Sequence, residues 1–527
     1  MRHVNKKALF PFIVLMSLSG LAVAGDLRDS APAAQAAQAA QAAQTCGGQP
    51  GAPLTRTVVT GHSISVGGKS ITYDATAGTQ LIHGDDGRPI ATMSYVAYVR
   101  THLTGGESTR PIVFAFNGGP LASSMLLHMA AFGPRRVVLG NATEPKPPFR
   151  LVDNQLTLLG EADLVFIDAV GTGLGRGVCG HKDTDFWGVD PDVDSFARFI
   201  TEYLSENGRW SSPKYLLGES YGTTRAAALV NYLLVHRSVT FNGVIMASMA
   251  TDIEELFTQL ALNDRPYPLY LPSFAATAWY HHALPVQPPA LQPFLDEVRN
   301  YAMGPYLVAL FKGDRLSAAE KVAVAQKIHQ YTGLPTQYVL DADLRVTEHA
   351  FQHELLRARG ETIGRSDSRT EGPTMDPLSE DAQISSEWAV VMPGVTAAFH
   401  DYLHNELRFD TDQTWREGAD QAFPMWNWTH RPAAGGAEQP VVNSDVDLGQ
   451  ALVQDTNLRV LVLSSYFDLS TPFFAVEYFL SHLGIPHSIR SHVQIDYFES
   501  GHMIYVDPQA ARKMTTDIGG FIERTSR

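Results

Sequence analysis

The chain has 527 residues, of which 44% are apolar and 18% are charged, a globular composition that excludes bulk disorder. This length accommodates one large α/β domain with an insertion, or two to three ordinary domains. The formal net charge of −15 argues against a nucleic-acid partner and against electrostatic anchoring to a membrane.

Residues 1–24 are predicted to be a signal peptide. A basic start is followed by an apolar segment over residues 8–21 and by the small-x-small cleavage site Ala22-Val23-Ala24. An uncleaved anchor is the alternative, which the short apolar run, interrupted by Pro11 and Gly20, disfavours. We therefore expect an exported protein, periplasmic or secreted, without a stable membrane anchor.

Residues 25–53 are predicted to be a low-complexity linker, because their Ala-Ala-Gln repeats bury little apolar surface. The linker contains Cys46, and the only other cysteine is Cys179. In an oxidising compartment these two residues could form a disulfide, and the alternative is two unpaired thiols. The sequence has no His-Glu-x-x-His or Cys-x-x-Cys spacing, so we expect chemistry without a metal or a cofactor.

The strand pattern changes along the chain. Residues 55–103 show a period-two apolar pattern broken by Gly-rich turns, which predicts antiparallel hairpins at one edge of a sheet. Continuous apolar runs separated by helical or loop stretches then predict buried parallel strands. These runs cover residues 112–116, 164–167, 215–217, 244–246, 460–463 and 493–497.

Residues 251–457 have a different composition and stand between two of these predicted strands. They are rich in proline and aromatic residues at first and then helical in pattern. A segment of this length in this position predicts a largely helical cap insertion. The expected fold class is therefore α/β, with a mostly parallel central sheet and antiparallel N-terminal hairpins. Its core comprises residues 54–250 and 458–527.

A candidate nucleophile lies near the middle of the chain. Gly218-Glu219-Ser220-Tyr221-Gly222 follows an apolar strand and precedes an Ala/Leu/Val-rich helix. This is the Gly-x-Ser-x-Gly pattern of a nucleophile elbow, a sharp turn that lifts the serine hydroxyl above a sheet. The five-residue match is weak alone, but the strand before it and the helix after it favour Ser220 as a nucleophile.

A base and an orienting acid follow later strands. Asp468 comes just after the run 460–463, and His502 lies on the loop after the last predicted strand. The order Ser220, Asp468, His502 is that of α/β hydrolases, in which such groups occupy loops at the carboxyl ends of strands. Competing residues with a weaker relation to the strand ends are His482, His487, His492, Asp496 and Asp507.

An oxyanion hole is predicted after the first long core strand, at Asn117-Gly118-Gly119-Pro120. A glycine pair here lets a backbone N–H approach the reacting oxygen, and the N–H of Tyr221 would complete the pair of donors. The alternative is a plain Gly-Gly-Pro turn.

Together these motifs resemble the serine carboxypeptidases of the α/β-hydrolase superfamily, in an exported bacterial form. The motifs occur in the family's order across residues 116–507. They are Asn117-Gly118-Gly119-Pro120, Ser123-Ser124, Phe132-Gly133-Pro134, residues 162–173, Gly218-Glu219-Ser220-Tyr221-Gly222, Asp468 and Gly501-His502-Met503. The resemblance implies an α/β-hydrolase core with a helical insertion.

The same resemblance implies roles for individual residues. Ser220 would attack a C-terminal peptide bond, activated by His502 and Asp468, with the Gly119 and Tyr221 N–H groups holding the oxyanion. Asn117 and Glu219 would bind the substrate's free carboxylate. Two carboxyl groups can meet only if Glu219 is protonated, so we expect activity in acid. The alternative is that Glu219 is purely structural.

Two departures from the family pattern put this recognition of the carboxylate in doubt. The family usually has Trp and Glu at the positions of Ala115 and Ala131, and its usual cysteine is replaced by Ala122. Three arginines could supply a replacement cation or simply be solvated: Arg225, Arg135 and Arg136.

The sequence therefore predicts a serine carboxypeptidase that acts through an acyl-enzyme on a peptide or small acyl substrate. The alternative is an esterase or acyltransferase with the same triad. A non-catalytic binding protein on a hydrolase scaffold is a third possibility, which the intact triad disfavours.

Overall fold

The computed structural model describes residues 55–102, 109–139, 149–256, 263–380, 382, 386–418 and 423–526. The predicted signal peptide, the predicted linker and Cys46 lie outside these residues, so the signal peptide, the linker and the role of Cys46 stay predictions. Among the described residues, no helix has the length and apolar content that crossing a membrane requires.

One central sheet and two small hairpins contain the strands of the described chain. Their bounds are β1 (Thr57–Val66), β2 (Lys69–His83), β3 (Pro89–Arg100), β4 (Ile112–Phe116), β5 (Arg135–Val138), β6 (Arg150–Asp153), β7 (Asp163–Ile167), β8 (Arg176–Gly177), β9 (Lys214–Glu219), β10 (Gly243–Ala247), β11 (Glu361–Ile363), β12 (Glu371–Pro373), β13 (Arg459–Ser465) and β14 (Val493–Phe498).

The central sheet has the order β1-β2-β3-β7-β4-β9-β10-β13-β14, with β8 paired to β3. Strands β1 to β3 form antiparallel hairpins at one edge, and β3 is antiparallel to β7. All pairings from β7 to β14 are parallel. Every predicted core run lies in a strand of this sheet. The predicted α/β-hydrolase fold, mostly parallel with antiparallel N-terminal hairpins, is confirmed.

Helices cover both faces of the sheet and make up most of the segment between β10 and β13. They are α1 (Val189–Glu206), α2 (Tyr221–Arg237), α3 (Pro266–Tyr280), α4 (Leu291–Tyr301), α5 (Leu307–Lys312), α6 (Ala318–Thr332), α7 (Thr336–Asp341), α8 (Glu348–Glu354), α9 (Ser386–Asn405), α10 (Asp445–Gln454), α11 (Phe473–Ser481) and α12 (Pro508–Thr525). Two π-helical turns occur at Leu127–Phe132 and Ala302–Tyr306.

The apolar core has two layers, one on each face of the sheet. In β4, Phe114 packs with α1 and α2 on one face, whereas Ala115 belongs to the opposite cluster, which contains residues of α9 and α12. This alternation follows from the period of two in a strand. Because the parallel strands are covered on both faces, their sequences are continuously apolar rather than alternating.

Sequence reasoning did not identify the β5–β6 hairpin. Both strands are short and partly exposed, with arginine or aspartate at three of their four ends, so no run of apolar residues marks them. The β11–β12 hairpin of the cap was also missed, because each strand has only three residues.

Candidate active site

Ser220 lies at the turn between β9 and α2, with backbone angles φ 59° and ψ −129°. A left-handed φ at a residue other than glycine is strained and is typical of a nucleophile elbow. A Cβ atom at Gly218 would lie 2.1 Å from the carbonyl oxygen of Gly222, and one at Gly222 would lie 2.8 Å from that of Phe116. The tight turn therefore requires glycine on both sides of Ser220.

Asp468 and His502 meet beside this elbow, although 34 positions separate them in the sequence. His502 Nδ1 lies 2.7 Å from Asp468 Oδ2. The Asp468 carboxylate is fully buried and also accepts hydrogen bonds from the N–H groups of Ser470 and Thr471, at 2.7 and 2.9 Å, and from the Thr471 hydroxyl at 2.6 Å. Since a carboxylate accepts at Nδ1, that nitrogen carries the proton and Nε2 is left as the base.

The same pair sets the basicity of His502. Burial alone would lower the pKa of His502, but the charge and hydrogen bond of Asp468, together with the charge on Glu219, outweigh burial and the net shift is upward. The charge on Glu219 acts in the same direction as Asp468, and that on Arg365 opposes it. A raised pKa makes His502 a stronger proton acceptor at neutral pH.

Ser220 and His502 line one cavity of about 410 Å³. Among the hydrogen bonds of the described residues, none joins Ser220 to His502. In this class of site such bonds are often long without substrate and shorten in the complex.

The competing candidates from the sequence lie elsewhere. His482 and His487 are exposed, and Asp507 accepts hydrogen bonds from the first turn of α12. His492 contacts Arg459, and Asp496 is part of β14. Among the described residues that the sequence offered as acid or base, only Asp468 and His502 lie at the elbow.

The loop after β4 runs directly against the elbow. A Cβ at Gly118 would lie 2.4 Å from the backbone nitrogen of Tyr221, so only glycine allows this approach. Gly119 has φ 107° and lines the cavity with Tyr221. Among the described residues, no backbone carbonyl is paired with the Gly119 or Tyr221 N–H. Both are therefore available as oxyanion donors.

Asp168 holds this loop from behind. Its buried carboxylate accepts the Ser124 N–H at 2.7 Å and the Ser94 hydroxyl at 2.8 Å. Burial raises the pKa of Asp168 to about 6, and these two donors limit the shift. The loop is thus fixed to β3 and to the end of β7.

Glu219 and Asn117 form a pair on the cavity wall. Glu219 is buried, and its carboxyl oxygens accept hydrogen bonds from Asn117 Nδ2 and from the Tyr505 hydroxyl, both at 3.2 Å. The amide of Asn117 is oriented because its Oδ1 accepts the Leu127 N–H at 3.0 Å. Burial raises the pKa of Glu219 to about 7, with the positive charge of His502 acting against it. In weak acid this carboxyl is protonated and can donate a hydrogen bond.

The two departures from the family pattern are structurally alike. Ala115 and Ala131 are both buried in the apolar cluster on the α9 side of the sheet, and neither lines the cavity. Methyl groups in that cluster pack well but cannot donate hydrogen bonds. These positions therefore contribute no partner for a substrate carboxylate.

The arginines considered as replacement cations are engaged elsewhere. Arg225 is fully buried, pairs with Asp192 at 2.7 Å and donates to the carbonyl of Asn117 at 2.8 Å, so it supports the loop after β4 from below. Arg135 pairs with Asp153 and Glu406. None of the three, Arg136 included, lines the cavity.

The cap supplies cavity residues that sequence reasoning missed. They are Ile253, Leu256, His349, Gln352, Arg365, Ser366, Ala382, Glu387, Trp388, Phe423 and Trp428. No motif marks them, because the folding of the cap alone brings them to the core. Tyr505 was also missed, although its position three residues after His502 could have suggested it.

Cys179 lies in the loop after β8. Its predicted partner Cys46 is outside the described residues, so the disulfide stays a prediction. The described residues contain no group of three or more His, Cys, Asp or Glu side chains suited to a metal ion.

Comparison with known proteins gives one family. The model of the serine carboxypeptidase family matches residues 92–260, which include the loop after β4 and the elbow but not Asp468 or His502. No curated protein matches the chain.

Solved structures resemble the chain only distantly. A proline iminopeptidase from Mycobacterium smegmatis is 12% identical, covering 89% of this chain and 99% of its own, with a TM-score of 0.33. A thermostable carboxyl esterase from Bacillus coagulans is 11% identical, with coverages of 89% and 99% and a TM-score of 0.35. A peroxisomal α/β-hydrolase from Saccharomyces cerevisiae is 10% identical, with both coverages at 89% and a TM-score of 0.32. At these values the likenesses carry no argument about substrate.

Proposed function

We propose that this chain, a serine hydrolase of the α/β-hydrolase type, is a serine carboxypeptidase that removes residues from the free C-termini of peptides. The observation that carries the proposal is the Glu219–Asn117 pair beside Ser220. Ester hydrolysis needs no buried carboxyl next to the nucleophile. A carboxyl with its pKa raised to about 7 suits recognition of a second carboxylate.

The first half-reaction forms an acyl-enzyme. Ser220 Oγ attacks the scissile carbonyl carbon while its proton moves to His502 Nε2, and Asp468 stabilises the resulting imidazolium. The negative charge on the former carbonyl oxygen is stabilised by the N–H groups of Gly119 and Tyr221. The C–N bond then breaks, and His502 gives its proton to the leaving amine.

The second half-reaction reverses the same steps with water. His502 takes a proton from the water molecule as its oxygen attacks the acyl carbon. The ester bond to Ser220 breaks, the serine regains its proton from His502, and the shortened peptide leaves as an acid.

Protonation of Glu219 controls recognition of the substrate in this proposal. Below a pH of about 7 the neutral carboxyl and the Asn117 amide can both donate to the substrate's carboxylate. Above that pH the ionised Glu219 repels it. Loss of the proton from Glu219 also raises the pKa of His502, so the two groups titrate as a coupled pair.

Hydrolysis or transfer of esters is the second candidate. It is favoured by Ala115 and Ala131, which remove two groups that the family uses near the substrate carboxylate. Acyl-enzyme chemistry is the same whether an amine or an alcohol leaves, so the triad does not separate the two functions.

A fluorophosphonate and a pair of capped dipeptides test the proposal. We expect the fluorophosphonate to label the wild-type enzyme and to leave Ser220→Ala unlabelled, because only the activated hydroxyl reacts. We also expect a blocked dipeptide with a free carboxylate to be hydrolysed faster than its C-terminal amide. Equal or faster turnover of the amide, or activity on simple esters only, would refute the carboxypeptidase assignment.

Export is proposed together with this activity and is supported only by the composition of residues 1–24. A mature protein that begins at Gly25 in the periplasm or medium is the expected finding. An intact N-terminus on cytoplasmic protein would contradict it.

A further inference from the structure

Arg365 is a cation from the cap that lines the same cavity as Ser220, Glu219 and His502. Its Nε atom is buried and has no hydrogen-bond partner among the described residues. The other arginines of this segment differ: Arg357, Arg359 and Arg369 each lie within salt-bridge distance of a carboxylate. No ion pair with a described carboxylate is formed by Arg365.

The backbone around Arg365 is hydrogen-bonded to both loops that carry the acid and the base. The carbonyl of Arg365 accepts the Leu469 N–H at 3.0 Å, next to Asp468. The carbonyl of Ser366 accepts the N–H of His502 itself at 2.5 Å. The backbone of Arg365 and Ser366 is therefore held at a fixed place relative to the triad.

Glu387 of α9 holds the same segment from the other side. Its carboxylate accepts the backbone N–H groups of Arg365, Ser366 and Asp367, at 3.1, 2.8 and 2.9 Å. Glu387 lines the cavity, but its charge is directed at these three donors. It fixes the backbone of this loop.

The hydroxyl of Tyr270 is the neutral neighbour of the guanidinium. Burial and the charge on Glu348 raise the pKa of Tyr270 well above its usual value, while the charge of Arg365 and its hydrogen bond to this hydroxyl act against the rise. The Tyr270 proton is directed to the carbonyl of Leu256 at 3.0 Å, which leaves an oxygen lone pair for Arg365. A neutral acceptor orients the guanidinium without cancelling its charge.

Arg365 lies close to His502, the residue that defines the leaving-group side of Ser220. His502 gives its proton to the leaving amine, so the leaving group lies beside His502. Arg365 is next to Ser366, whose carbonyl binds the His502 N–H, and its charge lowers the basicity of His502. In a carboxypeptidase the leaving residue carries the free carboxylate.

A half-buried guanidinium that no described carboxylate pairs with is costly until a ligand brings an anion. Its planar fork of N–H donors matches the two oxygens of a carboxylate. We propose that Arg365 binds the free carboxylate of the leaving residue, together with Asn117 and Glu219. This inference rests on the proposed carboxypeptidase function. It supplies from the cap the recognition that Ala115 and Ala131 cannot give.

The test compares a blocked dipeptide acid with its C-terminal amide in the wild type, Arg365→Gln and Arg365→Lys. The ratio of kcat/KM for the acid to that for the amide should fall about 30-fold in Arg365→Gln, the effect of one lost charge-assisted hydrogen bond. Lysine keeps the charge but not the fork, so a fall of about fivefold is expected. Arg359→Ala, an exposed arginine of the same segment outside the cavity, is the matched control and should leave the ratio unchanged.

A ratio within twofold of the wild type in both Arg365 variants would overturn the inference. Labelling by the fluorophosphonate shows whether each variant is folded, and if Arg365→Gln is not labelled, Arg365→Lys decides. Failure of the proposed function gives a different result, because the wild type itself would then show no preference for the dipeptide acid over its amide. A wild-type preference that the Arg365 variants keep refutes the inference alone.

Discussion

The loops of the central sheet and the cap contribute to the cavity in different ways. Ser220, Asp468 and His502 each follow a parallel strand, so the sheet alone brings them to one edge. The cap adds Arg365 from a short loop and Glu387 from α9, and no single strand or helix carries both residues. In the proposed reaction the first group carries out steps that any acyl substrate needs, whereas Arg365 would contact a part of the substrate that differs between substrates. Substitutions in the core loops should therefore slow every reaction, and substitutions in the cap should change the selection among substrates.

The largest expected effect is in the core, at Asp468→Asn. The asparagine keeps the shape but presents an amide NH₂ to the donors that now surround the carboxylate, among them Thr471 and His502 Nδ1. We expect kcat to fall about 10³- to 10⁴-fold, because His502 then takes the wrong tautomer. The acid, the amide and a simple ester should be affected alike, as measured by steady-state kinetics. A loss confined to the acid would break the division between core and cap.

Glu219 belongs to the core but is expected to act on the choice between acid and amide substrates. The pH dependence of that choice therefore tests the division between core and cap. Burial raises its pKa to about 7, and the protonated form is the competent one. For the acid substrate, kcat/KM should therefore fall about tenfold per pH unit above 7, while protonation of His502 lowers it on the acid side.

Glu219→Gln is the matching variant, because its amide can donate at every pH. We expect the alkaline fall to disappear for the acid, with the profile for the amide set by His502 in both proteins. The measurement is kcat/KM from pH 5 to 9 with both substrates. An alkaline fall that persists in Glu219→Gln would assign it to another group.

The smallest expected effect is in the cap, at Glu387→Gln. Loss of the charge that receives three backbone N–H groups should lower the free energy of unfolding by about 1–3 kcal/mol. Urea denaturation measures this. The acid-to-amide ratio should fall about threefold as Arg365 loses its fixed position. Asp314→Asn, an exposed carboxylate of the cap, should change neither quantity. A general loss of activity with all substrates would place Glu387 in the chemistry instead.

Much of the core could be predicted from the sequence, because its signals are local. Continuous apolar runs identified the strands, and the glycines around Ser220 are required because a Cβ at either position would overlap a backbone carbonyl oxygen. The position of Asp468 and His502 just past strand ends was enough to select them from nearby residues of the same types. Backbone geometry and burial impose these features wherever the pattern occurs.

The partner of a charged side chain depends on long-range packing and not on local sequence, as two arginines show. Arg225 stands five residues after Ser220 in the sequence, yet it is buried against Asp192 and the ring of Phe196, away from the cavity. Arg365 is distant in sequence and carries no motif, yet it reaches the cavity through the hydrogen bonds of its loop to Leu469 and His502.

The sequence by itself determined the α/β sheet, the serine elbow and the order of its three candidate catalytic residues, since each depends on contacts within a strand and the turn that follows it. Only the tertiary structure decided which arginine lines the cavity with Ser220 and that Ala115 and Ala131 are part of the apolar core. The physical reason is that long-range packing places a side chain, and a long, flexible arginine can satisfy its charge wherever the fold brings an acceptor.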